Sequence, residues 1–138
     1  MIIAVDFDGT IVEHTYPSIG KTKLFAFETL KALQQQKHTL ILWTYRAGKE
    51  LQEAVDFCKQ NGVEFYAVNS NYPEETYDDM ISRKINADVY IDDKNIGGFP
   101  GWSKVWQLLE NEENYLIELD KQNKKSNAKK GLFSRLFG

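Results

Sequence analysis

Four short apolar runs punctuate the chain: Ile2–Val5, Thr39–Trp43, Val63–Val68 and Val89–Ile91. Each has the length of a strand. None alternates with polar residues as a half-exposed sheet would, so the runs predict buried parallel strands. Between them, apolar positions recur at helical spacing. Phe27, Leu30 and Leu33 share one side of a segment near Leu24 to Gln36. Leu51, Ala54, Val55 and Cys58 fall at i, i+3, i+4 and i+7, with Asn61-Gly62 as a stop signal, and Trp102, Val105, Trp106 and Leu109 repeat that spacing. Alternating strands and helices predict an α/β layer fold with right-handed crossovers. Asn69 to Ser82 reads as a polar loop, and Asn95 to Gly101 as a glycine-rich turn into the Trp102 helix.

The periodicity stops near Asp120. From Lys121 to Lys130 the chain is Lys, Asn and Ser without a pattern, which reads as disorder. The expected organisation is one domain over residues 1–120 and a basic, flexible tail over 121–138. The tail ends in Leu132, Phe133, Leu136 and Phe137, one apolar face of a short helix. Charge sharpens the boundary. Residues 121–138 carry six basic residues and no acid, so residues 1–120 hold 11 basic and 20 acidic residues, a net charge of −9. An acidic domain of this kind does not steer toward nucleic acid. The tail could support weak, salt-sensitive contact with an anionic membrane or a partner. A single cysteine, Cys58, excludes an intramolecular disulfide and fits a reducing, cytoplasmic setting. No signal-like or membrane-spanning apolar stretch is present.

Chemistry concentrates after the strands. Asp6-Phe7-Asp8-Gly9-Thr10 follows the first run directly. Alternation along extended chain puts Asp6 and Asp8 on one side, and Gly9 permits a sharp turn. Thr44 follows the second strand and Arg46 comes two residues later. Lys84 precedes the fourth strand, and Asp92-Asp93 close it. In a parallel α/β sheet the strand ends lie on one edge, where such folds bind ligands. Two like charges about 4 Å apart repel by roughly 4 kcal/mol at an effective dielectric near 20, so several converging carboxylates call for a cation. Magnesium suits an all-oxygen donor set completed by water and phosphate.

These motifs resemble those of the haloacid dehalogenase superfamily of phosphatases. A hydrophobic strand followed by D-x-D-G-T is matched by Ile2 to Thr10, a strand-ending Thr by Thr44, a lysine by Lys84, and an acidic pair after a strand by Asp92-Asp93. The resemblance covers roughly residues 1 to 110. It implies a Rossmann-like three-layer sandwich with a mainly parallel central sheet. It further implies that Asp6 attacks phosphorus and becomes an aspartyl phosphate. Asp8 would protonate the leaving oxygen and then activate water. Asp6, the Asp8 carbonyl and Asp92 would hold magnesium, with Asp93 close by. Thr44 and Lys84 would bind the phosphoryl group. Arg46 would either bind substrate phosphate or cap a helix. The 37 residues between Asp6 and Thr44, and the 39 between Thr44 and Lys84, leave no room for a cap domain. An open site suits a bulky or macromolecular phosphoester, or closure by a neighbouring subunit.

The expected function is therefore magnesium-dependent phosphohydrolysis. The rival is a phosphate-accepting signalling or binding domain with little turnover. In two-component receivers, however, the acidic pair ends the first strand and the acceptor ends the third, the reverse of the order here. His14 reads as a surface histidine, Cys58 as inert core, and Trp43, Trp102 and Trp106 as core rather than substrate platforms.

Overall fold

The computed structural model describes residues 1–137, less the side chains at 112–116, 118, 133 and 137. The apolar run after Met1 becomes β1 (Ile2–Val5), an interior strand whose last three residues are fully buried. It pairs in parallel with β2 (Thr39–Leu42) on one side and β4 (Val89–Ile91) on the other. A two-residue strand, β3 (Ala67–Val68), adds to β2, giving the order β3-β2-β1-β4, parallel throughout. Two helices form the first two crossovers, α1 (Ala26–Gln35) and α2 (Gly48–Gln60). The protein is thus an α/β fold with a parallel sheet flanked by helices, and no cap is inserted among the described residues.

Strand alternation sorts the core. On one face Ala4, Ile41 and Ala67 pack with Ile85, and Trp43, Ala87 and Tyr90 lie against them. Ile85 and Ala87 belong to the long β3–β4 connection, which carries no helix. Ile3, Val5, Leu40 and Leu42 alternate with that set and are buried on the opposite face. Phe57 of α2 meets Phe27 of α1 and Phe7 edge-on, at 5.7 and 6.3 Å between ring centroids. Ala54 and Cys58 are the buried residues of α2. The Cys58 thiol is pushed up to about 12 by burial, which makes it inert core in keeping with its helical spacing.

Two elements differ from what the sequence pattern predicts. The apolar run predicts a third strand from Val63, but Val63 is used to end α2. Its N–H donates to the Cys58 carbonyl at 3.0 Å, next to Gly62 at a φ of 86°, so pairing begins only at Ala67. The expected boundary near Asp120 also has no counterpart. The chain divides into Met1–Ser103 and Lys104–Gly138, and α3 (Trp102–Phe137) runs through 121–130 without a break. Lysine and glutamine are good helix formers, and Asp120 pairs with Lys124 at 2.7 Å one turn on. Propensity holds this stretch helical where periodicity gives no signal. Among the described residues no helix is long and apolar enough to cross a membrane.

Candidate active site

Hydrogen bonding continues past the strand ends and aligns the chemical residues. The Asp6 N–H donates to the Ile91 carbonyl at 2.9 Å, and the Trp43 N–H to the Val5 carbonyl at 2.8 Å. The Asn69 N–H reaches the Leu42 carbonyl at 2.8 Å. The residues that follow β1, β2, β3 and β4 therefore meet at one edge of the sheet, as a parallel arrangement requires. They open on a cleft of about 510 Å³ lined by Asp6, Asp8, Thr44, Asp92 and Asp93 together with His14, Tyr16, Trp43, Tyr45 and Lys94.

The chain turns sharply to build this floor. Phe7 accepts from the N–H groups of Thr10, Ile11 and Val12, and Gly9 takes a φ of 82°. A side chain there is doubly excluded, because a Cβ on Gly9 would lie 2.1 Å from Asp93 Oδ2. The Trp102 indole donates to the Thr10 carbonyl at 2.8 Å and clamps the turn.

Carboxylate oxygens of Asp6, Asp92 and Asp93 lie within 4.8 Å of one another. Burial, then the Asp92 charge, then a hydrogen bond with Asp93 raise the Asp6 carboxyl from 3.8 to about 8. The Phe7 backbone and the Thr10 hydroxyl, which donates to Asp6 Oδ2 at 3.1 Å, oppose that rise without cancelling it. Asp93 Oδ1 is buried with no hydrogen-bond partner. Crowded, desolvated carboxylates with an orphaned oxygen are poor structural elements and good ligands for a hard cation. The three carboxylates are able to hold a metal ion.

Asp8 meets the opposite fate. Arg46, 1% exposed, donates Nε to Asp8 Oδ2 and a terminal nitrogen to Oδ1, both at 2.8 Å. Its remaining donors reach the carbonyls of Pro17 (3.1 Å), Ser18 (2.8 Å) and Glu50 (3.2 Å). Its guanidinium also stacks over Phe7 and Tyr16, at 5.0 and 5.2 Å from the ring centroids. Every donor of the guanidinium is used. Arg46 is thus neither a phosphate ligand nor a helix cap. It locks the loop before α1 to the site, and it occupies both oxygens of the carboxyl group expected to act as an acid.

Thr44 stands where the motif order puts it. Its Oγ1 accepts from the Arg46 N–H at 3.1 Å, which leaves the hydroxyl proton free to donate into the cleft. Asn69, which no sequence motif singles out, holds this turn. Its Oδ1 accepts from the Thr44 N–H at 2.8 Å, and its Nδ2 lies 3.4 Å from the Arg46 carbonyl. A signal for it exists, since Asn69 directly follows an apolar run at the same sheet edge.

Lys84 is not brought to the cleft. It is not among the residues that line the cleft, and its ammonium lies 5.2 Å from the Tyr90 ring centroid. Lys94, just past the C-terminal end of β4, lines the cleft instead and sits 3.8 Å from Asp93 Oδ2. His14 and Trp43 also line the cleft. Trp43 is therefore more than core, whereas Trp102 is buried as expected.

No family model and no curated protein matches the chain. A solved structure described as the conserved protein coded by locus from Bacteroides thetaiotaomicron is similar. It is 54% identical, with 81% of this chain and 91% of that chain covered, at a TM-score of 0.77.

Proposed function

The chain belongs to the family of that conserved Bacteroides thetaiotaomicron protein, and for it we propose magnesium-dependent hydrolysis of a phosphomonoester through an aspartyl phosphate on Asp6. One observation carries the reading: Asp6, Asp92 and Asp93 converge within 4.8 Å with one buried oxygen unpaired. The order of Asp6-Phe7-Asp8-Gly9-Thr10, Thr44 and Asp92-Asp93 along the chain is similar to that of haloacid dehalogenase phosphatases. The convergence of these residues at one sheet edge supports membership of that superfamily.

Asp6, Asp92, Asp93 and the Asp8 carbonyl would hold the magnesium ion. When bound, the ion offsets the charge of the cluster and of the phosphate and keeps Asp6 ionised at neutral pH. The Asp6 carboxylate attacks phosphorus, and the ester P–O bond breaks with its electron pair on the leaving oxygen. Because Asp8 is committed to Arg46, that oxygen takes its proton from water in the open cleft. Water then attacks the aspartyl phosphate, Asp6 departs as carboxylate, and the proton of the water passes to solvent. Thr44 donates to a phosphate oxygen. Lys94 takes the neutralising role that the sequence suggests for Lys84. The work of the protein is positioning and electrostatics, as phosphoryl transfer demands.

Turnover of p-nitrophenyl phosphate by the full chain tests this reading. Activity is expected with magnesium and lost in excess chelator. Equal turnover in chelator excludes the metal role, and none under either condition favours a binding domain.

A further inference from the structure

Ring-bearing residues line the same cleft as the proposed phosphate site. Thr44, the proposed phosphate donor, is flanked in sequence by Trp43 and Tyr45, and all three line the same cavity. Tyr16, from the loop before α1, also lines the cleft and meets Tyr45 edge-on, with centroids 6.2 Å apart and planes at 69°. That pair forms a corner, a shape that accepts a further ring by stacking on one member and edge contact with the other.

The Tyr16 side of the corner is fixed in advance. Arg46 lies 5.2 Å from the Tyr16 ring centroid and holds the next two carbonyls, of Pro17 and Ser18. Tyr45 itself is 91% exposed, with its ring surface open to a ligand. A cleft of about 510 Å³ is far larger than a phosphate needs and falls in the range of small-molecule sites.

Resting on the phosphohydrolase reading, we infer that the cleft is built for a phenolic phosphate, with the ring against Trp43, Tyr45 and Tyr16 and the phosphate at Asp6, Asp92, Asp93 and Thr44. The rings adjoin the phosphate donor in the chain itself, so the aromatic group belongs close to phosphorus. That places it directly on the ester oxygen rather than beyond a sugar. In the reaction the P–O bond breaks, its electron pair leaves with the phenolate, and the phenolate takes a proton from water. The same ester occurs in free aryl phosphates and on tyrosine side chains.

The decisive test separates ring recognition from leaving-group reactivity. Binding of benzylphosphonate and of methylphosphonate, neither hydrolysable, is measured by calorimetry on the full chain with magnesium. Benzylphosphonate is expected to bind at least about tenfold more tightly, within the range of aromatic stacking. Tyr45→Ala removes most of that ratio and Tyr45→Phe restores it. Tyr45 is exposed, so neither change threatens the fold. Phosphotyrosine as the free amino acid and within a peptide then distinguishes the two sources by kcat/KM. Equal binding of the two phosphonates, or a ratio unmoved in Tyr45→Ala, overturns the phenolic assignment while p-nitrophenyl phosphate turnover keeps the enzyme reading intact. Absence of both binding and turnover sinks the two together.

Discussion

Asp6 and Asp8 stand two residues apart on one turn, yet their surroundings have nothing in common. Asp6 faces Asp92 and Asp93 and is raised to about 8, with the largely exposed Lys94 3.8 Å from Asp93 Oδ2. Asp8 faces a buried guanidinium that binds both its oxygens and has no donor left over. One half of the cleft floor is electrostatically incomplete and the other is complete. The lesson is that a carboxylate with a saturated partner serves architecture, whereas crowded carboxylates short of positive charge mark the place where something must bind. The incomplete half should therefore respond to metal and substrate, and the complete half to denaturant.

The largest expected effect is on turnover. Asp6→Asn keeps shape and removes the attacking charge, so phosphatase activity should fall to background while circular dichroism stays native. Arg46→Ala attacks the other half. It leaves Asp8 buried without its partner and removes the hydrogen bonds that tie the loop to the site, so denaturant titration should show a loss of about 3–5 kcal/mol. A variant as stable as the parent would break the contrast between the two carboxylates.

Next in size is the metal. Asp93→Ala should weaken magnesium affinity by at least roughly tenfold, as read by calorimetry. Binding at pH 7 should also release roughly one proton, because Asp6 is raised to about 8 before the cation arrives. Without metal, the folded protein holds the Asp6 proton up to about pH 8, while the unfolded chain loses it near pH 4. Between those values the folded state binds more protons, so metal-free stability must decline as pH rises through the window. Its contribution is complete below the lower value and gone above the upper one. Melting temperatures from pH 4 to 9 check this, and the decline should be smaller in Asp6→Asn.

Asn69→Ala should cost about 1 kcal/mol of stability and lower turnover, because the Thr44 turn loses its clamp. The smallest expected effect lies outside the cleft. Residues 121–138 should give weak binding to anionic vesicles that fades at high salt, through the exposed Leu132 and Leu136 and the flanking lysines. Phe133 and Phe137, which complete that apolar face in sequence, have side chains outside the described residues. Equal sedimentation of the full and truncated chains removes the membrane proposal and leaves the cleft untouched.

Much of the fold and part of the site are legible in the amino-acid sequence, for identifiable reasons. β1, β2 and β4 are continuous apolar runs because both faces of the sheet are covered, and burial of that kind leaves a plain signature. The ends of parallel strands share an edge, so Asp6, Thr44, Asp92 and Asp93 can be brought together from their order alone. The pairing of Arg46 with Asp8 cannot, because it spans 38 residues and depends on a loop conformation. Lys84 and Lys94 are indistinguishable by type. Only the folded cleft, which Lys94 lines and Lys84 does not, separates them. In α3 the helix continues through a stretch without apolar spacing, where pattern has nothing to report and intrinsic propensity decides.

The claim at the centre is that Asp6 is the nucleophile of a cation-dependent site. Fluorine NMR of the protein with beryllium fluoride tests it most directly, since that anion forms a stable mimic of a phosphorylated carboxylate. Wild-type protein in magnesium should show resonances of the bound species that are absent without magnesium and absent in Asp6→Asn. The same bound resonances in Asp6→Asn, or in wild type stripped of divalent cations, would contradict the account.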